Sequence, residues 1–346
     1  MELALRRFFE EQLRFRLADG TEIDGGVYVG STEFLPVEIL QDDEVAYREE
    51  FSLWLNEVWK PEQTQRREEI LSLAGNEMRY SDLKEAFGRQ QVVPFLGSGM
   101  SVPSGLPTWA DLLRRIRDYA RCDHDELETL LSAQQFEEAA DFLASKMNIR
   151  LLNERIEHEL RINEPKEVRG PVLLLPTLFP NLVLTTNLDR VLEHVYSLGE
   201  REFGYVLAGE EIGQYRSLRS STARCLLKLH GDCTRSVGRV LLTSEYETTY
   251  ANESTVRAEL SLLYRTNSLL FLGCSLGWDR TVSLIYEVAE GDLNMPKHYC
   301  FLQVPDKEEV RLDREHFLTE RGVYPIWYNL PHDIALTALL DGLLNP

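Results

Sequence analysis

Val92-Val93-Pro94-Phe95-Leu96-Gly97-Ser98-Gly99-Met100-Ser101 decides the fold: a short apolar run that stops abruptly in glycine and serine. The pattern returns at Leu182-Val183-Leu184-Thr185-Thr186-Asn187-Leu188-Asp189 and at Leu226-Leu227-Lys228-Leu229-His230-Gly231-Asp232. Apolar runs this short predict buried strands rather than helices. Strands that are apolar on both faces belong to a parallel sheet covered by helices on each side. Such a sheet carries its ligand residues at the C-terminal ends of its strands, so the three polar tails are expected to meet at one crevice.

Outward from these runs the chain alternates strand, polar loop and helix. Ala110 to Arg121 predicts a helix with Leu112, Leu113, Ile116 and Tyr119 on one face. Residues 124–162 contain no glycine or proline and keep a helical period, which predicts a helical module inserted at about 122–170. Leu269 to Leu272, ending in Gly273-Cys274-Ser275, predicts a further core strand, as do Val240-Leu241-Leu242, His298 to Val304 and Val323 to Tyr328. Residues 199–224 read as irregular, Ser244 to Asn267 as mostly helical, and Ile334 to Leu344 as a closing helix. The expected class is α/β, a doubly wound, Rossmann-like parallel sheet with an inserted helical module and a small N-terminal appendage. Pro94 objects, because proline cannot donate to a ladder; it predicts a strand cut back to Phe95-Leu96 or bulged.

Residues 1–85 follow a different rhythm and form the expected appendage, α+β or mostly helical, ahead of a main domain at 86–346. Helices are predicted from Met1 to Leu17, Ala46 to Val58 and Arg66 to Phe87, with a strand at Val27-Tyr28-Val29 and a break at Pro61. Two roles stand for this segment: a surface for assembly or partner contact, or a cover for the main domain.

Composition narrows the function. In 346 residues, 43% are hydrophobic and 27% charged, which is ordinary for a globular chain and argues against extensive disorder. The formal net charge of -20 repels polyanions and disfavours direct nucleic-acid binding by the surface as a whole. Five cysteines, at 122, 225, 233, 274 and 300, are odd in number and form no C-x-x-C, so a reducing compartment is expected rather than a disulfide framework. The N-terminus lacks the apolar core of a signal peptide, and no apolar run approaches the ~18 residues of a membrane span. The expectation is a cytoplasmic protein without a membrane partner.

Each polar tail has a chemical and a bland reading. Gly97 and Gly99 let a backbone approach a phosphate, which a following helix would attract with its N-terminal amides; they serve equally as a tight turn. The loop is neither a full dinucleotide fingerprint, since Val102 stands at the third glycine, nor a Walker A loop. Asn187 suits a ligand amide or a helix N-cap. His230, with an ordinary pKa near 6.5, suits proton transfer. Cys225 and Cys233 flank it, but a metal site would need another ligand and a standard spacing. No metal is expected. Cys274 reads as a small buried residue, and the histidines at 124, 158, 194, 298, 316 and 332 as surface or helix residues without a role.

Taken in order, Phe95-Leu96-Gly97-Ser98-Gly99-Met100-Ser101 with Ser104-Gly105-Leu106-Pro107-Thr108-Trp109, Thr185-Thr186-Asn187-Leu188-Asp189, Lys228-Leu229-His230-Gly231-Asp232, and Leu272-Gly273-Cys274-Ser275 with Asp279 resemble the sirtuin-like family. The closer likeness is to its bacterial branch that hydrolyses NAD in antiphage defence, whose pattern Leu242-Thr243-Ser244-Glu245-Tyr246 also follows. The resemblance spans about residues 88 to 330. It implies that Gly97, Ser98, Gly99 and Ser101 cradle the NAD pyrophosphate and that Asn187, after Thr186, sits at the nicotinamide ribose. It further implies that Asp189 supports nicotinamide binding, that His230 is the general base, and that Gly273, Ser275 and Asp279 line the adenosine side.

Deacetylating sirtuins carry a zinc module of two C-x-x-C pairs, and this chain has none. The expected activity is therefore an NAD glycohydrolase, with NAD as substrate, acting as the NAD-depleting effector of a defence complex. By resemblance its partners would be copies of itself and a HerA-type ATPase. Two alternatives remain: a non-catalytic subunit that binds NAD or ADP-ribose, and a zinc-free deacylase or ADP-ribosyltransferase.

Overall fold

The structure is a computed structural model that describes residues 2–13, 27–29, 32–34, 36–120, 122–162, 168–277, 283–284, 287–288 and 295–344. The strands are β1 (Val27–Val29), β2 (Thr32–Phe34), β3 (Val92–Leu96), β4 (Leu182–Thr185), β5 (Tyr205–Ala208), β6 (Cys225–Lys228), β7 (Ser268–Leu272), β8 (His298–Gln303) and β9 (Val323–Tyr328). β1 and β2 form a separate antiparallel pair. The other seven make one all-parallel sheet in the order β5-β6-β4-β3-β7-β8-β9. Alternate residues face apolar cores on opposite sides: Val92 and Leu96 lie in one, Val93 and Phe95 in the other. The doubly wound parallel sheet expected from the apolar runs is what forms.

The strand order reverses around β3. From β3 the chain steps outward through β4 to β5 and β6, then returns to the far side of β3 as β7. The crevice at such a switch point is where an open α/β sheet holds its ligand. The tails of β3, β4 and β7 open there, with that of β6 one strand away.

Pro94 does not shorten β3; it shortens one ladder. Val92 through Leu96 all register with β7, whereas only Phe95 and Leu96 register with β4. The Gly97 amide donates to Leu272 O at 2.9 Å, so odd residues face β7, and Leu96 O accepts from Thr186 N at 3.2 Å, so even residues face β4. The Pro94 nitrogen therefore points toward β4 below the start of that pairing, where no donor is required.

Several sequence expectations are corrected. Residues 199–224 contain the edge strand β5, whose exposed Tyr205 and Val206 hide the usual apolar signature. Val240-Leu241-Leu242 is not a strand: Val240 N donates to His230 O, and the amides of Leu241 and Leu242 are satisfied by the Glu245 carboxylate at 2.8 and 2.9 Å. Pro61 does not break its helix. The turn before it, Trp54–Trp59, is π-helical, Lys60 N reaches back to Leu55 O, and Pro61 sits in the first turn of Lys60–Leu71. Arg66 to Phe87 is instead two helices, parted where Ala74 and Gly75 take positive φ of 25° and 76°.

The N-terminal residues divide by what they touch. Phe9, Tyr47, Trp54 and Trp59 pack with one another, while Ile70, Tyr80 and Leu83 join the core on one face of the sheet. Buried Asn76 acts as an extra peptide unit for the edge strand β9, donating to Trp327 O at 2.7 Å and accepting from Trp327 N at 2.9 Å. Four helices, Trp109–Ala120, His124–Ser132, Phe136–Lys146 and Ile149–Glu159, share a further core around Leu113, Leu127, Leu143 and Ile156. They stand over the crevice as its outer wall. No helix among the described residues is long and apolar enough to cross a membrane.

Candidate active site

A cleft of about 400 Å³ opens at the switch point, between the strand-end loops and the helical wall. Of the residues singled out in the sequence, Gly97, Ser98, Thr186, Asn187, Asp189, His230, Gly273 and Ser275 line it. Gly99 and Ser101 do not. Asp279 lies outside the described residues.

The glycine loop is shaped by its neighbour in the sheet. A Cβ on Gly97 would stand 2.5 Å from Gly273 O and 2.9 Å from Cys274 Cα, and one on Gly99 would stand 2.9 Å from Gly273 Cα. The glycines thus let two strand-end loops press together. After them come 3-10 turns, Ser98–Met100 and Val102–Ser104, rather than the expected helix, which starts only at Trp109. The amides of Gly97, Gly99, Met100 and Ser101 are all spent on backbone carbonyls, leaving Ser98 N–H as the loop amide available to an anion among the described residues.

Ser101, fully buried, works behind the wall. Its hydroxyl donates to Asp189 Oδ2 at 2.8 Å and accepts from Asn187 Nδ2 at 3.2 Å. Thr185 Oγ1 donates to Leu96 O at 3.0 Å and accepts from Asn187 N at 2.9 Å, which locks the turn after β4. Asn187 is not the cap of the next helix: that position is Arg190, and Asp189 just before it accepts from Val191 N at 3.0 Å through Oδ1. Burial pushes the Asp189 carboxyl above its usual range, against those hydrogen bonds and the nearby Lys228 charge.

Asn187 Nδ2 also donates to Gly97 O at 3.0 Å. A carbonyl can only accept, so this contact fixes which end of the amide is nitrogen. Both N–H groups are used in the wall, and Asn187 Oδ1 is the end offered to the cleft. It is an acceptor, suited to a ribose hydroxyl or a water proton.

His230 follows β6 and lies between two tyrosines. Its Nε2 is 2.9 Å from Tyr250 OH, its Nδ1 is 3.5 Å from Tyr246 OH, and both rings meet it edge-on. Burial pulls its pKa down to about 3, so the imidazole is neutral at neutral pH and keeps a lone pair for a proton. Gly231, at φ 85°, lets the chain turn against Gly238 and Arg239, where a Cβ would come within 2.7 Å of both.

Several residues shape the site without being singled out in the sequence. Tyr246 closes the Leu242 to Tyr246 stretch that follows the family pattern, but neither it nor Tyr250, in a helical region, is assigned a role by that pattern. Gln134 to Glu138, at a helix–helix turn, line the outer wall, and the Gln134 side chain reaches Gly277. Away from the cleft, at the start of β8, His298 is buried rather than surface-placed: its Nδ1 accepts from Leu269 N at 3.0 Å, and burial pulls it down to about 4. Lys228 carries its own signal, a lysine inside an apolar run. It is fully buried, and its Nζ donates to Asp189 O at 2.7 Å, Leu188 O at 3.4 Å, Glu193 Oε1 at 3.0 Å and Asp232 Oδ2 at 2.6 Å. Among the described residues no group of three or more His, Cys, Asp or Glu is arranged to hold a metal ion.

Residues 181–326, from β4 to β9, match the SIR2-like domain family. The chain is 24% identical over 250 residues to the NAD(+) hydrolase ThsA of Cytobacillus dafuensis, covering 70% of this chain and 47% of that protein. It is 22% identical over 223 residues to the NAD(+) hydrolase ThsA of Acinetobacter baumannii (strain 532279), covering 64% of this chain and 44% of that protein. The chain thus spans less than half the length of these curated relatives. The sirtuin-like resemblance read from the strand-end motifs is borne out.

Proposed function

We propose that this SIR2-like chain is an NAD glycohydrolase, releasing nicotinamide and ADP-ribose from NAD and water. The observation that carries the reading is the convergence of Asn187 and His230 on one cleft beside the β3 glycine loop, in a chain similar to proteins named NAD(+) hydrolase. The cleft volume of about 400 Å³ falls in the range of small-molecule sites.

The chemistry divides among these residues. The bond between ribose C1′ and the nicotinamide ring nitrogen breaks, its electron pair leaves with neutral nicotinamide, and positive charge develops on the ribose. Water attacks C1′ and its proton must go elsewhere. Asn187 Oδ1, held by the wall, accepts from a ribose hydroxyl or the incoming water and supports the developing cation with its partial negative charge. Neutral His230 takes the proton; general-base help of this kind is worth roughly 10²–10⁴-fold. Ser98 N–H is the loop amide proposed to meet that pyrophosphate, with Gly273 and Ser275 on the adenosine side.

On the resemblance alone, we extend the proposal to an NAD-depleting effector in a homo-oligomeric antiphage complex that works with a HerA-type ATPase. The test is nicotinamide release from NAD by the purified chain, alone and within its native complex. Release that disappears in Asn187→Ala and His230→Ala supports the reading. No release in either state would overturn it.

A further inference from the structure

The Asn187 and His230 loops leave neighbouring strands, β4 and β6, and beyond the strand ends a single backbone bond, Cys233 N to Leu188 O at 2.8 Å, crosses between them. One buried side chain adds a second cross-link. Lys228 Nζ donates to the carbonyls of Leu188 and Asp189 in the first loop and to the carboxylate of Asp232 in the second, with Glu193 as a further counter-charge. The link continues to the cleft: Asp189 holds Ser101, and Ser101 with Gly97 holds the Asn187 amide. On the other side Asp232 follows His230-Gly231, and its Oδ1 accepts from Thr234 N at 2.9 Å and Thr234 Oγ1 at 2.7 Å, anchoring the outgoing loop. A lysine with no solvent exposure is costly to bury unless charge-paired and fully hydrogen-bonded, and this one is both.

We infer that Lys228 is a positioning residue which holds the Asn187 and His230 loops in one frame, so that the acceptor and the base address the same substrate atom. The inference rests on the NAD-cleaving reading for its kinetic consequence but not for its structural one. Lys228 does not line the cleft, so its loss should disturb the relative placement of the two groups more than the binding of substrate. Misplacement of that kind lowers kcat while leaving KM nearly intact.

The experiment compares the full chain with Lys228→Met, Asp232→Asn and the double variant. Lys228→Met alone strands the Asp232 carboxylate, while Glu193 keeps Arg190 at 3.5 Å as a partner. The double variant does not, because Asp232→Asn removes that charge. The double variant should recover much of the melting temperature lost in Lys228→Met. Amides of residues 185–190 and 229–233 should still exchange deuterium roughly 10-fold faster than in the parent. Nicotinamide release should show kcat down by roughly 10-fold or more and KM within about 3-fold. Asp232→Asn keeps the bonds from Lys228 to the first loop, so it should loosen 229–233 and leave 185–190 protected; it decides the matter if the double variant does not fold. Parent-like exchange in both loops of the double variant, or in both loops of Asp232→Asn, would overturn the inference, as would a parent-like kcat in a folded double variant. Loosened loops in a protein whose parent releases no nicotinamide would uphold the role of Lys228 and sink the NAD-cleaving reading instead.

Discussion

Asn187 Nδ2 donates to the carbonyl of Gly97 across the gap between two strand ends, at 3.0 Å, and so turns the side-chain oxygen toward the cleft. The same nitrogen reaches Ser101 at 3.2 Å, leaving the amide no freedom to flip. Asn187→Asp is nearly isosteric but sets an oxygen against the Gly97 carbonyl. Nicotinamide release should fall by roughly 10²–10³-fold, the usual loss on removing a preorganised polar group at a reacting centre. An Asn187→Asp protein that turns NAD over at the parent rate would show that the amide orientation is irrelevant.

The depressed pKa of His230, about 3, has a signed consequence for stability. Above its ordinary pKa of ~6.5 the ring is neutral folded or unfolded, and the group contributes nothing to the pH dependence. As the pH falls from there toward 3, the unfolded chain takes up the proton first, so the folded state loses ground. His298, pulled down to about 4, acts in the same window. His230→Gln should therefore unfold at a lower pH than the parent in an acid titration followed by circular dichroism, while its nicotinamide release is lost. A midpoint that stays or rises would contradict the buried, neutral state assigned to the ring.

Tyr250 and Tyr246 divide the task of holding that ring. The Tyr250 hydroxyl is 2.9 Å from Nε2 and the Tyr246 hydroxyl 3.5 Å from Nδ1. A net hydrogen bond is worth about 0.5–1.5 kcal/mol, so Tyr250→Phe should reduce kcat by up to about 10-fold and Tyr246→Phe by less. Steady-state kinetics on the two variants would rank them, and the reverse order would reassign the ring's anchor to Tyr246.

Much of this arrangement was legible because parallel strands announce themselves as apolar runs, and their polar tails name the crevice. What escaped was set by tertiary partners. β5 is an edge strand with Tyr205 and Val206 exposed, so its composition looks like a loop. Val240 to Leu242 is as apolar as a strand, yet Glu245 satisfies its amides and no ladder forms. Ser101 read as a phosphate contact because it follows a glycine loop, but the tight packing of Gly97 and Gly99 on Gly273 turns its hydroxyl inward to Asp189. His298 carries no sign in sequence of the Leu269 amide that claims its nitrogen.

That packing separates two explanations of the glycine loop. If glycine is there for ligand approach alone, a methyl group at Gly97 would weaken NAD binding and leave the empty protein unharmed. The structure argues otherwise: the added Cβ would meet Gly273 O at 2.5 Å and Cys274 Cα at 2.9 Å, both backbone atoms of β7's tail that cannot rotate away. Gly97→Ala should therefore lower the stability of the ligand-free chain by about 1–3 kcal/mol, the usual cost of overpacking. Gly88→Ala is the control, since that helical glycine has negative φ and open space around its Cβ site, and alanine there should stabilise by up to about 1 kcal/mol. Urea unfolding of both variants without NAD measures the difference. Equal stabilities for Gly97→Ala and the parent would return the loop to the ligand-approach explanation.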